Sequence, residues 1–296
     1  MVRDERVVAL RRALLAWGEL ARRDLPWRRT RDPWAVFVSE LMLQQTQAPR
    51  VVPKFDVFMT RFPTASVCAS SPVSAVVDAW SGLGYNRRAV NLHRAAIQIV
   101  ERHGGDLPDD LDALLALPGV GPYTARAVLV FAFDRDIGLV DTNAGRFVAR
   151  ALAGRAVTRV ESQHIADGAV PRGEAWAWGQ AVFDLGAAIC TKSSPRCSTC
   201  PIVQQCAWAR AGWSDPDPID GSAGVSRPQS TFAGSFRQGR GRLVAALRDG
   251  PLAPERVAVA AGWPDDDARA GAALTSLVRD GLAVIDADGR ASLPTT

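Results

Sequence analysis

The chain has 296 residues, of which 47% are hydrophobic, and a formal net charge of +4. These values exclude a disordered chain and predict about two globular domains with apolar cores. The small positive charge is compatible with a polyanionic partner without requiring one. Residues 1–23 predict an amphipathic helix with charges throughout, which fits neither a signal peptide nor a membrane span, so we expect a cytoplasmic protein that does not bind membranes.

The first candidate functional residue lies in an apolar helix predicted over 34–47. Glu40 is the only acidic residue in that helix. It is either a salt-bridged structural residue or a general acid, because burial favours the protonated form of a carboxyl group. The helix ends in Gln44 and Gln45, whose amides either contact base edges of a nucleic acid or are solvated at a helix terminus.

Further helices are predicted at about 49–61, 72–80 and 86–103. A glycine-rich turn at 81–85 comes before the last of them and presents Tyr85 beside arginines. An exposed aromatic ring next to arginines is typical of a side chain that stacks on or wedges between nucleobases, although a satellite core residue has the same pattern. The histidines have no partners at metal-ligand spacing and are interpreted as structural or surface residues.

Two helices joined by a tight turn are predicted next. The turn carries Gly119, Val120 and Gly121, and the second helix runs from Pro122 to about 133. The glycines allow a left-handed backbone, and the free N–H groups that begin a helix suit a phosphate. An ordinary turn between packed helices is the alternative.

An acidic position follows about twenty residues later. The apolar run ends at Val140, and Asp141 and Asn143 then stand where the next helix is predicted to begin. An aspartate at this position is most often a helix cap. Only its neighbours in the sequence favour a role in catalysis.

Four of the five cysteines are concentrated near residue 200, with spacers of six, two and five residues. In a reducing compartment, thiols at this density predict a metal or iron–sulfur site and not disulfides. A single Cys-x2-Cys pair flanked by lone cysteines favours a four-iron cluster over a zinc site, which usually has two such pairs. The fifth, Cys68, is predicted to be an inert core residue. The four predicted ligands are Cys190, Cys197, Cys200 and Cys206.

The chain up to residue 210 is predicted to be all-α, with further helices at about 144–153, at 159–170 and before the cysteines. The composition changes after that point. Residues 213–235 are rich in Pro, Gly, Ser and Asp and predict a linker. Residues 236–296 predict three short helices and a hairpin over 282–293, which resembles a small winged-helix module.

These motifs together resemble the helix-hairpin-helix base-excision DNA glycosylases that carry an iron–sulfur cluster, the endonuclease III superfamily. The likeness covers about residues 20–210 and is closest to the MutY-type adenine DNA glycosylases, which remove adenine mispaired with 8-oxoguanine. The segments that carry it, besides the cysteine loop, are LPWR at 25–28, SELMLQQTQ at 39–47, GLGY at 82–85, NLH at 91–93, LPGVGPYTA at 117–125 and VDTN at 140–143.

The resemblance implies a mainly α, two-lobed fold with a 4Fe-4S loop, extended here by the α+β winged-helix-like module. The glycosylase domain would comprise residues 1–212. Its six-helix lobe would cover about 26–137, and its cluster lobe about 1–25 and 138–212. Double-stranded DNA with a mismatch is the implied partner, and we expect a monomer.

The resemblance also assigns roles to individual residues. Glu40 would be the acid that protonates the purine, Asp141 the carboxylate that stabilises positive charge on the deoxyribose, and Tyr123 and Asn143 would support them. Glu40 in an apolar helix is the better candidate for a raised pKa, and Asp141 at a helix N-terminus for a lowered one. The implied DNA contacts are Gln44, Gln45, Tyr85, Gly119, Val120, Gly121, Arg28 and Gln180, of which Arg28 and Gln180 would line the pocket for a flipped adenine.

Tyr123 occupies the position where strand-nicking members of the superfamily have a nucleophilic lysine. A phenol does not form a Schiff base, so we expect a monofunctional hydrolase that leaves an abasic site. A thymine or uracil mismatch glycosylase of the same superfamily is the nearest alternative, and a DNA-binding regulator with a cluster sensor is a remote one. The chain departs from the family in two ways: Asn86 follows Tyr85 where a second tyrosine is usual, and the winged-helix-like residues replace the usual C-terminal domain that reads the oxidised guanine.

Overall fold

A computed structural model describes residues 5–222 and 231–295, and in these residues helices account for nearly all of the regular structure. The predicted mainly α class, with a small strand pair near the C-terminus, is confirmed. The helices are α1 (Glu5–Ala21), α2 (Pro33–Leu43), α3 (Ala48–Arg61), α4 (Ala65–Ser70), α5 (Val73–Ala79), α6 (Arg87–His103), α7 (Leu111–Leu115), α8 (Pro122–Phe133), α9 (Thr142–Phe147), α10 (Arg159–Ala169), α11 (Ala175–Ala188), α12 (Ala207–Arg210), α13 (Phe236–Asp249), α14 (Val257–Ala261) and α15 (Asp267–Arg279), and the strands are β1 (Val284–Ile285) and β2 (Ala291–Ser292).

The chain forms two compact units. Unit 1 comprises the described residues of 1–31, 109–111 and 121–228, and unit 2 those of 32–108, 112–120 and 229–296. The C-terminal helices therefore belong to the same unit as α2 to α6. The predicted linker covers 213–235, of which residues 223–230 lie outside the described part of the chain, and the predicted division into glycosylase domain, linker and module stays a prediction.

Unit 1 is organised around α11, which packs against α1, α8 and α9. Leu10 and Leu14 of α1 are fully buried, and Trp178 of α11 meets Phe147 of α9 edge to face with ring centroids 5.8 Å apart. Helix α9 continues directly into a π-helical segment at Val148–Ala153. The packed helices position the start of α9 and the cysteine loop that follows α11.

The core of unit 2 lies between α2, α3 and α6. Every residue of α2 from Trp34 to Met42 is buried, so this mainly apolar helix is enclosed on all sides. Phe58 packs edge to face on Trp80, with ring centroids 6.0 Å apart. A short helix, α4, also packs on α6, and the sequence pattern did not predict it.

The C-terminal part of unit 2 has the predicted three helices and hairpin. Strands β1 and β2 are antiparallel, with Val284 paired to Ser292, and an additional bridge joins Leu252 to Ala291. Arg248 of α13 donates to the carbonyl of Val77 at 2.8 Å, which ties the module to the helices of unit 2. Nowhere in the described residues is a helix both long and apolar enough to cross a membrane.

Candidate active site and cysteine loop

Glu40 lies on α2 and is 5% exposed. Asp32 caps the helix by accepting from the N–H groups of Trp34 and Ala35, both at 3.3 Å, and Pro33 occupies the first turn. The position within a buried apolar helix agrees with the prediction from the sequence. In the middle of a helix the backbone N–H groups are used by the helix itself and do not solvate a carboxyl group.

The glutamines after α2 are held in a tight turn. The helix ends at Leu43, four residues earlier than predicted, because Gln45 adopts a positive φ of 56° that a helix does not allow. Gln44 donates from Nε2 to the carbonyl of Gly119 at 3.2 Å, so unit 2 brings these two predicted DNA contacts together. Gln45 is exposed.

The glycine turn before α8 is only partly as predicted. Gly119 has φ +80°, and a Cβ there would lie 2.8 Å from Cβ of Asn91, so both conformation and space require glycine. The expectation for Gly121 is wrong, since its φ of −104° is open to any residue. Helix α8 begins at Pro122, as predicted.

Arg88 is a residue to which the sequence analysis assigned no individual role. It lies beside Tyr85, is 7% exposed and donates from Nη1 to the carbonyls of Leu41, Met42 and Gln44 at 2.6–2.9 Å. Its Nη2 donates to Gly84 O at 3.0 Å. Burial lowers the pKa of Arg88 to about 10. This guanidinium therefore fixes the end of α2 and the glycine turn at the same time.

Tyr85 is half-buried and has a positive φ of 47°. A non-glycine residue in this region is uncommon and is held there by its surroundings. Its hydroxyl accepts from Nη1 of Arg237 at 2.9 Å. The C-terminal residues thus reach the turn that was predicted to enter DNA.

Asp141 caps α9, in unit 1. Its Oδ1 accepts from the N–H groups of Asn143 and Ala144 at 2.9 and 2.7 Å, and its Oδ2 accepts from the side-chain amide of Asn143 at 3.0 Å. The structure therefore brings together Asp141 and Asn143 of the VDTN motif, and it confirms the capping interpretation. A helix cap and a catalytic carboxylate are not exclusive, because the donors that cap the helix also orient the carboxylate.

Burial dominates the ionisation of Asp141 and raises its pKa, although the hydrogen bonds from Ala144 and Asn143 and the charge of Arg146 act in the opposite direction. The expected lowering of this pKa is therefore wrong. The helix terminus supplies donors, but the loss of solvent around the carboxylate outweighs them.

Arg146 connects Asn143 to the cysteine loop. Its Nη2 donates to Oδ1 of Asn143 at 2.8 Å and to the carbonyl of Gly186 at 2.7 Å, and its Nε donates to the carbonyl of Cys190 at 2.9 Å. A Cβ on Gly186 would lie 2.7 Å from Cβ of Asn143, so this glycine lets α11 approach α9. The only signal of Arg146 in the sequence is an arginine within an apolar stretch.

The three remaining predicted residues of unit 1 lie on different segments. Tyr123 is half-buried on α8, with its ring centroid 6.2 Å from that of Phe183, and Gln180 is buried on α11. Arg28 forms a bidentate pair with Asp184, at 2.8 and 3.0 Å. Burial alone would raise the pKa of Asp184, but Arg28 and Arg23 hold it below the usual value. The proposed contact of Arg28 with a base stays a prediction.

The four predicted cysteine ligands line a single cavity of about 30 Å³ together with apolar side chains such as Leu185 and Ile202. Burial raises the pKa of the Cys190, Cys200 and Cys206 thiols, that of Cys200 to about 11. In the described part of the chain, no group of three or more His, Cys, Asp or Glu side chains meets the geometry of a metal site. The structure thus brings the four thiols to one cavity without placing their sulfurs as ligands. Cys68 is fully buried, as predicted.

Arg150 closes one side of this cavity. It donates to Sγ of Cys190 at 3.6 Å and to the carbonyl of Thr191 at 2.6 Å, and its guanidinium pairs with Asp217 through Nε at 2.9 Å. The guanidinium also lies 5.2 Å from the ring centroid of Trp208. A fixed positive charge beside a cysteine sulfur favours the ionised thiolate, which is the form that binds a metal, over the neutral thiol.

Comparison with known proteins places these features in a family context. Residues 38–171 match the family described as HhH-GPD superfamily base excision DNA repair protein. An adenine DNA glycosylase of Mycolicibacterium smegmatis is 41% identical over 284 residues, covering 95% of this chain and 94% of that protein. The human adenine DNA glycosylase is 38% identical, covering 68% of this chain and 39% of that protein.

Solved structures show the same fold. A thermostable thymine-DNA glycosylase superposes with a TM-score of 0.65 at 27% identity, covering 70% of this chain and 98% of that one. Endonuclease III, in a trapped covalent intermediate with DNA, superposes with a TM-score of 0.61 at 20% identity, covering 72% of this chain and all of that one.

Proposed function

This chain belongs to the adenine DNA glycosylases of the HhH-GPD superfamily, and we propose that it hydrolyses the N-glycosidic bond of adenine mispaired with 8-oxoguanine or guanine in double-stranded DNA. The observation that carries the proposal is the 41% identity to an adenine DNA glycosylase over nearly the full length of both chains. The product would be an abasic site, and the enzyme would act as a monomer on DNA in the cytoplasm.

Cleavage of this bond develops positive charge on the deoxyribose and negative charge on the departing purine. In our proposal Glu40 donates a proton to the adenine, and ionised Asp141 stabilises the oxocarbenium-like sugar until water attacks it. The buried apolar helix around Glu40 supports the neutral form that an acid requires. The three N–H donors at Asp141 support a fixed carboxylate.

The proposed reaction stops at the abasic site. A lyase would need an amine that forms a Schiff base with the sugar. Tyr123 stands at the position where the resemblance places that amine, and a phenol does not perform this step. Strand breakage should therefore appear only when alkali is added to the product.

We also propose that the four cysteines hold a four-iron cluster. Four thiols around one apolar cavity, with an arginine beside Cys190, form the type of donor set that thiolate-bound clusters use. When bound, such a cluster would cross-link the loop to the end of α11. Metal analysis and the visible absorbance of the purified protein test this proposal, and a colourless, zinc-loaded protein would contradict it.

The activity is tested with four labelled duplexes that contain adenine opposite 8-oxoguanine, adenine opposite guanine, a G:T pair or a G:U pair. Each is incubated with the protein and analysed with and without alkali. We expect cleavage at adenine only after alkali. Release of thymine or uracil would support the alternative glycosylase, and binding without release of any base would support a non-enzymatic regulator.

A further inference from the structure

A large cleft in unit 2 is not used by the proposed chemistry. It encloses about 920 Å³ between the turns that carry Gln45 and Tyr85 on one side and the N-terminal part of α13 on the other. Arg88 fixes the first side, because it binds the carbonyls of both Gln44 and Gly84. The two turns are therefore held in place before any ligand arrives.

Charge in the cleft is strongly unbalanced. Among its described lining residues are five arginines, and the only carboxylate is that of Asp280. This carboxylate is bound by Arg240 at 2.5 Å and by Arg87 at 3.4 Å, so arginines from both sides surround it. A concave surface with this excess of guanidinium groups favours an anion such as a phosphodiester.

Aromatic rings stand close to the central guanidinium. Arg237 lies 5.7 Å from the ring centroid of Tyr85 and 5.3 Å from that of Phe232, which is 54% exposed. Rings beside a guanidinium can stack on a nucleobase while the cation binds the adjoining phosphate. The cleft thus combines groups for both parts of a nucleotide.

We propose that this cleft extends the predicted DNA contacts at Gln45 and Tyr85 into a nucleotide-binding site, in which Arg237 and Phe232 from the C-terminal residues and Tyr85 from the glycine turn hold one nucleotide of the bound duplex. The proposal rests on the proposed function, since it assumes that the substrate is duplex DNA. It gives the winged-helix-like residues a direct role in binding the substrate. It does not assign them a part in breaking the glycosidic bond.

The test measures binding of the full chain to a labelled duplex that contains a non-hydrolysable 2′-fluoro analogue of adenosine opposite 8-oxoguanine. Arg237→Ala should weaken binding about tenfold, and the slope of log affinity against log salt should fall by about one because a phosphate contact is lost. Phe232→Ala should weaken binding severalfold without changing that slope, because it removes stacking alone. Arg237→Lys should keep the slope and recover part of the affinity.

The matched control is Arg256→Ala, which removes an exposed arginine of the same module that does not line the cleft. It should bind as the unchanged protein does. Circular dichroism and thermal melting of each variant show whether the fold is retained.

The unchanged protein is first assayed for adenine release from the corresponding cleavable duplex. No release there would contradict the proposed function. If adenine is released but Arg237→Ala and Phe232→Ala both bind as tightly as Arg256→Ala, the proposed nucleotide-binding site in the cleft is wrong while the proposed function stands.

Discussion

The backbone offers hydrogen-bond donors at the position of Asp141 that it does not offer at the position of Glu40. Glu40 lies in the middle of α2, where the helix uses its own N–H groups, and the residues on both sides are buried. Asp141 lies at the first position before α9, where two backbone N–H groups and one amide point at its oxygens. The donors at the start of α9 surround Asp141 with groups that favour a negative charge.

This difference teaches that the position along a helix decides which charge state of a carboxyl group the backbone supports. A mid-helix position in an apolar element offers a carboxyl group little compensation for ionisation. A helix N-terminus offers donors that are not used within the helix. The proposed assignment of acid and anion follows from this contrast.

The largest expected effect is that of Glu40→Gln. The substitution keeps the size of the side chain and removes the acidic proton, so adenine release should fall about a thousandfold while duplex binding is nearly unchanged. Single-turnover release assays and binding titrations measure the two effects. Ser39→Ala, a change at a buried polar residue of the same helix, is the control and should keep near-normal release. Normal release by Glu40→Gln would show that the acid has been misassigned.

Asp141→Asn should lower adenine release by about a hundredfold or more, because the amide lacks the charge that stabilises the sugar cation. Its effect on stability should have the opposite sign. The pKa of Asp141 is raised in the folded chain, so the ionised side chain weakens stability at neutral pH, and this penalty fades as the pH falls through the raised pKa toward the usual 3.8. Thermal melting should therefore favour the variant most at neutral pH and least in acid.

For the unchanged enzyme the same shift predicts an acidic limb in the pH profile. Activity should fall as acid protonates Asp141, and the fall should begin at a higher pH than for an exposed aspartate. Asp32→Asn is a matched control, because Asp32 also caps a helix but is exposed. If the melting temperature of Asp141→Asn at neutral pH is lower than that of the unchanged protein, burial does not dominate the ionisation of Asp141.

Sequence patterns predicted the elements whose signals are local. Pro122 at the start of α8, Asp141 as a cap and the burial of α2 all follow from side chains and their immediate neighbours. The cysteine spacing likewise identified the four residues that share a cavity.

The connections between distant segments were not predictable in this way. The local sequence does not indicate the partners of Arg88 and Arg146. Both are buried against carbonyl groups from other parts of the chain, such as that of Gly186, forty residues from Arg146. The positive φ of Gln45, which ends α2 early, is imposed by the surrounding fold and has no counterpart in local propensity.

Arg146→Ala extends the comparison to the residues that support the Asp141 side of the proposed site. Removing this guanidinium removes the hydrogen bonds that it donates to Oδ1 of Asn143 and to the carbonyl of Cys190. Adenine release should therefore fall about tenfold, and the melting temperature should drop. Arg146→Lys should not restore release, since one ammonium group does not replace N–H donors that a guanidinium directs at three separate acceptors. Arg155→Ala, which breaks an exposed pair with Glu161, is the control and should change little. A lower melting temperature with unchanged release would limit Arg146 to a structural role.

The smallest expected effect is that of Tyr123→Phe, which tests whether the residue acts through its ring or its hydroxyl. The ring packs on Phe183, and phenylalanine preserves that contact. Loss of one hydrogen-bonding group should lower adenine release by no more than about tenfold, well below the losses at Glu40 and Asp141. Both proteins should leave the DNA strand intact until alkali is added, because neither side chain forms a Schiff base. A loss as large as that of Asp141→Asn would instead place the phenol hydroxyl beside the reacting sugar as a third catalytic group, and the contrast between two carboxyl groups would no longer account for the chemistry.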